Sequence, residues 1–150
     1  MLPDLILSVL HYGAIIGVAA ILGTELAMVR PGMPREWVST VARIDAFYGA
    51  LAVLVLATGL GRAIFTAKGW AYYSANALFW ASLGTFAVVG LLSVRPTLAY
   101  LRWRREQAGS GHHPPATEIA GIRRYLWLQV ALLPVIAMFA TAMAHGYGNW

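Results

Sequence analysis

The chain has 150 residues, of which 59% are hydrophobic and only 11% are charged, and its formal net charge is +5. A soluble domain of this length carries about a quarter charged residues, so the composition indicates a membrane protein. The absence of cysteine excludes disulfides, thiolate metal sites and iron–sulfur clusters. The basic residues lie mostly between apolar runs, as in the loops of membrane proteins, which argues against nucleic-acid binding.

Four apolar segments follow one another along the chain, at approximately residues 4–29, 44–66, 75–101 and 122–145. Each is as long as the ~20 residues with which a helix crosses ~30 Å of hydrocarbon. The N-terminus has no basic region before its apolar run, so we expect the first span to be retained. These patterns predict a single all-α domain, residues 1–150, folded as an integral membrane four-helix bundle.

The basic residues also predict an orientation. Nine arginines flank the first and third connections, whereas one arginine and one lysine flank the second. Because basic residues concentrate in cytoplasmic loops, we expect both termini and the second connection on the periplasmic side of a bacterial inner membrane. Trp70, Tyr72, Tyr73 and Trp150 would then lie at the periplasmic membrane surface, where aromatic side chains are enriched.

Polar residues within the spans form two layers. The inner layer, near the predicted cytoplasmic helix ends, contains Glu25, Arg43, Asp45 and Arg95. Charges at this depth pair with one another or extend to the interface. We therefore expect ion pairs that join the helices, and a proton path through Glu25 is the alternative.

The outer layer draws on all four spans and contains His11, Arg62, Asn76, Trp80, Thr141 and His145. His11 lies about 9 Å below Leu5 at ~1.5 Å per residue, so its side chain does not simply reach water. Because an ionisable group in lipid is costly, a functional role is the default hypothesis for His11, with a structural hydrogen bond as the alternative.

Haem b is the cofactor that suits this layer. Two histidines are too few for a zinc or iron site made of protein ligands alone, whereas His11 and His145 could fill the two axial positions of a haem. His145 has an alternative interpretation as a solvated C-terminal histidine. Arg62 could pair with the haem propionates. Further cofactor-binding candidates are Trp70, Tyr72, Tyr73, Asn76 and Trp80, and Gly59, Gly61 and Gly84 would leave room for the macrocycle.

Gly13 and Gly17 form a GxxxG pattern on the face of the first span roughly opposite His11. Small residues at this spacing permit close helix contact, either within the bundle or between protomers. A homodimer is expected, because symmetric pairing is the usual assembly of small units.

Two stretches, "RIDAFYGALAVLVLATGLGR" and "AKGWAYYSANALFWASLGTFAVVGLLSVRPTLAYLRWRR", resemble a bacterial family of integral membrane proteins known as domain of unknown function 2214. The resemblance covers nearly the whole chain and implies the topology without an activity. More distantly, "LHYGAIIG" is similar to the HemJ-type protoporphyrinogen oxidases, four-helix membrane proteins that bind haem b. That similarity implies an axial role for His11. A functionally important lysine of those enzymes corresponds roughly to Ser82, so the similarity favours the cofactor more than the reaction.

The sequence thus predicts a haem b-binding inner-membrane protein, a b-type cytochrome that transfers one electron near the periplasmic face. A quinone, superoxide, oxygen or a small periplasmic redox protein would be its partner. Two alternatives remain open. One is a protoporphyrinogen oxidase-like enzyme, and the other is a cofactor-free scaffold or transport protein in which His11 forms an interhelix hydrogen bond.

Overall fold

The computed structural model describes residues 2–65 and 68–149, and its helices are α1 (Leu2–Met28), α2 (Trp37–Phe65), α3 (Gly69–Ser74), α4 (Ala77–Ser110) and α5 (Ala116–Ala144). All of them except α3 are long and apolar enough to cross a membrane. The prediction of an all-α protein with four membrane-length helices is therefore confirmed. The predicted last residue of the second span, Thr66, and the aromatic residue Trp150 lie outside the described residues.

Three long helices extend beyond the predicted apolar spans at the ends that carry most of the arginines. Helix α2 begins at Trp37, α4 continues to Ser110 and α5 begins at Ala116. Hydropathy defines the part of a helix that lies in hydrocarbon, whereas backbone hydrogen bonding continues until a cap stops it. Helix α4 stops at Gly111, whose φ of 68° is left-handed and whose N–H donates to the carbonyl of Gln107.

The long helices form a ring in the order α1, α2, α4, α5. Helix α1 packs against α2 and α5, and α4 packs against the same two helices. We call the end where α1 begins and α5 ends the terminus end, and the other end the loop end. The short helix α3 connects α2 to α4 at the terminus end and contacts both.

The packed core occupies the loop-end half of the bundle. Buried residues of α4 run from Val89 to Trp103, and those of α5 run from Ile119 to Gln129. Neither the part of α4 before Val89 nor the part of α5 after Gln129 contains a buried residue. Helices α1 and α2 do bury side chains in the terminus-end half, at Ala14 and Ala63 for example. The terminus-end halves of α4 and α5 are thus less completely covered.

Candidate functional site

His11 lies on the face of α1 that packs against α2. It is three residues before Ala14, which is 3% exposed, and seven before Val18, which is 4% exposed. Residues at these spacings share one face of a helix. The Nδ1 atom of His11 is 3.1 Å from the carbonyl oxygen of Val55 and 3.0 Å from the hydroxyl oxygen of Thr58. The half-buried imidazole is therefore held at the α1–α2 interface through its Nδ1 atom.

These contacts determine which imidazole nitrogen carries the proton. A backbone carbonyl only accepts hydrogen bonds, and the Thr58 hydroxyl already donates to the carbonyl of Leu54 at 2.6 Å. Both neighbours of His11 Nδ1 are thus acceptors, so Nδ1 is the donor. In the neutral imidazole the lone pair is then on Nε2, which has no hydrogen-bond partner within the described part of the chain. A fixed Nδ1–H with a free Nε2 is the usual state of a metal-ligating histidine.

Gly59 provides the space for the imidazole ring. A Cβ atom at position 59 would lie 3.0 Å from His11 Cε1 and 3.6 Å from Nδ1. The other two glycines assigned to a macrocycle have different surroundings. A Cβ at Gly61 would meet the side chain of Leu7 at 3.5 Å, and one at Gly84 would meet no described atom within 4 Å. The space that Gly59 leaves is therefore filled by His11 itself.

Arg62 belongs to the same face of the bundle as His11. Its guanidinium carbon lies 5.1 Å from the centre of the Tyr12 ring, at a distance suited to a cation–π contact. The Nε atom of Arg62 is buried and has no hydrogen-bond partner in the described residues. The ring of Tyr12 meets that of His11 edge to face, with centroids 5.9 Å apart. His11, Tyr12 and Arg62 thus form one cluster, with unused hydrogen-bonding capacity on Arg62.

The aromatic candidates form a second cluster around α3 and the start of α4. The Trp70 ring meets the rings of Phe79 and Trp80 edge to face, and the Trp80 indole N–H donates to the carbonyl of Ser74 at 3.0 Å. Tyr73 packs on Phe79 with ring centroids 5.8 Å apart. These contacts attach α3 to α4 at the terminus end.

Tyr72 joins this second cluster to the end of α5, and Asn76 joins it to the C-terminal segment, residues 145–149. The Tyr72 hydroxyl donates to the carbonyl of Met143 at 3.2 Å. The side chain of Asn76, which is 0% exposed, caps α4 by accepting from the N–H of Leu78 at 2.9 Å. Its amide group donates to the carbonyl of Tyr147 at 3.0 Å and to the side-chain oxygen of Asn149 at 2.7 Å. Both polar atoms of Asn76 are thus engaged within the protein.

His145 is exposed and immediately follows α5. Its Nδ1 lies 2.9 Å from the carbonyl oxygen of Thr141, so Nδ1 is again the donor and Nε2 carries the lone pair of the neutral ring. No hydrogen bond or ring contact in the described residues joins His145 to His11. The structure therefore brings together His11 and Arg62, and separately groups Trp70, Tyr72, Tyr73, Asn76 and Trp80.

The predicted inner layer of ion pairs is wrong. Glu25 and Asp45 are only 1% and 6% exposed, whereas Arg43 and Arg95 are exposed. Within residues 2–65 and 68–149 the ion pairs join Arg102 to Glu106 and Glu118, so neither buried carboxyl group pairs with an arginine. Arg43 and Arg95 lie on helix faces that point away from the core. A long arginine side chain near a helix end can keep its charged group at the membrane surface, so it need not enter the core.

Hydroxyl groups take the place of those arginines beside the two carboxyl groups, and a tyrosine–glutamine hydrogen bond also crosses this part of the core. Tyr100 donates to Glu25 at 3.4 Å, and Thr97 donates to Asp45 at 3.0 Å. Tyr48 donates to Gln129 at 2.9 Å, from α2 to α5. The signal in the sequence was that a glutamine in an apolar span needs a partner. Thr58 was equally recognisable, as the polar residue beside Gly59 in "ATGLGR".

One of the two glycines of the GxxxG pattern on α1 packs against another helix of the same chain. A Cβ at Gly17 would lie 2.7 Å from the end of the Leu51 side chain, so Gly17 permits the close approach of α1 and α2. A Cβ at Gly13 would meet nothing within 4 Å in the described structure. Gly17 therefore permits helix packing within the bundle, and the role of Gly13 in a dimer stays a prediction.

The fold and the polar groups inside it define a small multi-pass membrane protein with the His11–Tyr12–Arg62 cluster near one end and two buried carboxyl groups, Glu25 and Asp45, near the other. The chain belongs to the family described as "Predicted membrane protein (DUF2214)", whose family model matches residues 3–148. Searches of the curated proteins and of the solved structures found no match to the chain.

Proposed function

We propose that this protein binds haem b near the terminus end of the bundle and transfers single electrons there, with His11 as an axial ligand. The observation that supports this most directly is the state of the imidazole. Val55 and Thr58 hold the Nδ1–H of His11, which leaves Nε2 as a fixed, basic lone pair. When bound, a haem with two histidine ligands supplies a one-electron centre without an open iron position.

The surroundings of His11 are compatible with such a cofactor. The parts of α4 before Val89 and of α5 after Gln129 bury no side chain, so this half of the bundle has apolar surface that a large flat ligand could cover. Arg62 has a buried Nε without a partner in the described structure, and a propionate carboxylate would satisfy it. These two features complement the free Nε2 of His11.

His145 is our candidate for the second axial ligand. Its Nδ1 donates to a backbone carbonyl, as that of His11 does, and its Nε2 is therefore available. In the proposed arrangement Trp70, Tyr72, Tyr73, Asn76 and Trp80 act by holding α3 and the C-terminal segment over this end of the bundle. We further propose that this end faces the periplasm of a bacterial inner membrane, that the protein is a homodimer, and that a quinone or a small redox molecule exchanges the electron.

The test is the visible absorption spectrum of the purified protein, first oxidised and then reduced with dithionite. After expression with ample haem, the wild type should show a Soret band that shifts on reduction, and His11→Ala should lose it. His112→Ala is the matched control, because His112 is exposed in the connection between α4 and α5. A colourless wild type would contradict the proposal and favour a structural role in which His11 joins α1 to α2.

The second ligand is tested separately. If His145 binds the iron, His145→Ala should convert the haem from low spin to high spin and allow carbon monoxide to bind the reduced protein. An unchanged spectrum would assign the sixth position to another group. A wild type that already binds carbon monoxide would favour the enzyme alternative, because an open iron position suits substrate activation better than electron transfer.

A further inference from the structure

A second polar site lies in the loop-end half of the core, away from His11. Glu25 is 14 residues after His11 on α1, which corresponds to about 21 Å along the helix. Its side chain is 1% exposed, and Asp45 on α2 is 6% exposed. Tyr100 and Thr97, which are three residues apart on α4, donate to Glu25 at 3.4 Å and to Asp45 at 3.0 Å, respectively. The two carboxyl groups therefore belong to one region of the core.

Within the described residues, no positively charged side chain forms an ion pair with either carboxyl group. The described ion pairs all involve Arg102, and neither Glu25 nor Asp45 takes part in one. Arg123 on α5 is the nearby cation of the facing helix, but its guanidinium donates to the carbonyls of Leu26 and Val29. Burying an uncompensated charge costs several kcal/mol or more, so two ionised carboxylates require a cation.

The hydrogen bonds around the pair leave acceptor positions free. Tyr100 donates to one carboxylate oxygen of Glu25, Oε2. Thr97, about one turn earlier on α4, donates to one carboxylate oxygen of Asp45, Oδ1. The other carboxylate oxygen of Glu25, Oε1, is buried and has no partner within the described residues. In the described residues, Gln129 on α5 accepts from Tyr48 and donates to the carbonyl of Tyr125, and it donates to neither carboxyl group. Oε1 is thus a buried acceptor that a proton or another small cation would satisfy.

We infer that Glu25 and Asp45 form a binding site for one small monovalent cation, a proton or a sodium ion. A divalent metal ion is disfavoured, because the described residues contain no group of three or more His, Asp or Glu side chains that could hold one. Glu25 is three residues before Met28, the last residue of α1, so the site lies about one helical turn from the loop end. This inference does not depend on haem.

The experiment is thermal unfolding of the purified protein in lipid nanodiscs while sodium and pH are varied separately. Sodium chloride replaces choline chloride at constant ionic strength in one arm, and pH changes without sodium in the other. A cation that binds only the folded protein raises its Tm by an amount on the order of 5 °C when it is well above its Kd. A rise in Tm with sodium at fixed pH identifies sodium as the bound cation. A rise in Tm on acidification without sodium identifies the proton.

Two isosteric variants test the assignment. Glu25→Gln and Asp45→Asn remove one charge each and should abolish the response of Tm that the wild type shows. Glu36→Gln is the matched control, because Glu36 is an exposed carboxylate in the α1–α2 connection and its variant should respond as the wild type does. A wild type that responds to neither cation, or variants that respond as strongly as the wild type, would overturn the inference.

A measurement on the wild type alone covers the case in which neither variant folds. Broadening of the sodium-23 NMR line reports bound sodium, and the infrared carbonyl stretch of a protonated carboxyl group at neutral pH reports a bound proton. Either signal supports the site, and the absence of both refutes it.

Discussion

The imidazole of His11 lies so close to the backbone of Gly59 that a Cβ atom at position 59 would be 3.0 Å from Cε1. A larger residue there must therefore displace the ring from its acceptors on α2. We expect Gly59→Val to destabilise the protein by about 1–3 kcal/mol, the usual cost of overpacking a core. The free energy of unfolding in detergent measures this loss.

Gly13→Val is the control for this substitution. Gly13 is on the same helix as His11, but a Cβ at position 13 meets nothing within 4 Å in the described structure. The control should thus change the free energy of unfolding by only a few tenths of a kcal/mol, since valine is at least as good a helix former as glycine. Equal destabilisation by both variants would show that the His11–Gly59 contact has no special importance.

The second prediction concerns the tautomer of His11. Thr58→Val keeps the shape of the side chain but removes one of the two acceptors of the Nδ1–H. Because the carbonyl of Val55 still accepts, we expect a loss of only about 0.5–1.5 kcal/mol of stability. The imidazole nitrogen-15 chemical shifts should show a larger share of the Nε2–H tautomer than in the wild type.

Thr85→Val is the matched control for Thr58. Among the described residues, the Thr85 hydroxyl donates to the carbonyl of Ala81 in its own helix, so its removal takes no hydrogen-bond partner from another helix. The histidine spectrum should not change in this variant. A Thr58→Val protein with the wild-type spectrum would mean that Val55 alone determines the tautomer.

The number of membrane-length helices could be predicted from the sequence, because the length and apolarity of a span are local properties. The sequence was also sufficient to single out His11 as a polar residue that needs a partner. It was not sufficient for the hydrogen-bond partners of Glu25 and Asp45, which depend on which helix faces meet. Arginines near a span end can reach the interface as easily as the core, and hydropathy does not distinguish the two outcomes.

The third prediction tests a hydrogen bond that crosses the core. Tyr48→Phe removes the hydroxyl that donates to the side-chain oxygen of Gln129, and that oxygen is then buried without its partner. We expect a loss of about 1–2 kcal/mol in the free energy of unfolding, because an unsatisfied buried acceptor costs more than the hydrogen bond contributed. Gln129→Leu should cost a similar amount, since it leaves the Tyr48 hydroxyl buried without an acceptor.

The double variant Tyr48→Phe with Gln129→Leu distinguishes a real coupling from two separate defects. Residues in contact show interaction energies of roughly 0.5–3 kcal/mol in such cycles. The double variant should therefore be less destabilised than the sum of the single variants. Simple additivity would indicate that the two side chains contribute independently.

The last prediction separates the two tasks of Asn76. Its side-chain oxygen caps α4 by accepting from the N–H of Leu78, and its amide group donates to Tyr147 and Asn149. Asn76→Asp keeps the acceptor and removes the donors, so α4 should remain capped while the C-terminal segment loses its attachment. Asn76→Ala removes both and should cost a further ~0.5–2 kcal/mol through the lost cap. Hydrogen exchange resolves the two effects: both variants should speed exchange in the C-terminal segment, and only Asn76→Ala should speed it at Leu78. Slow exchange of the C-terminal segment in Asn76→Asp would show that the backbone hydrogen bond from Ala77 to the carbonyl of Gly148 is enough to hold that segment.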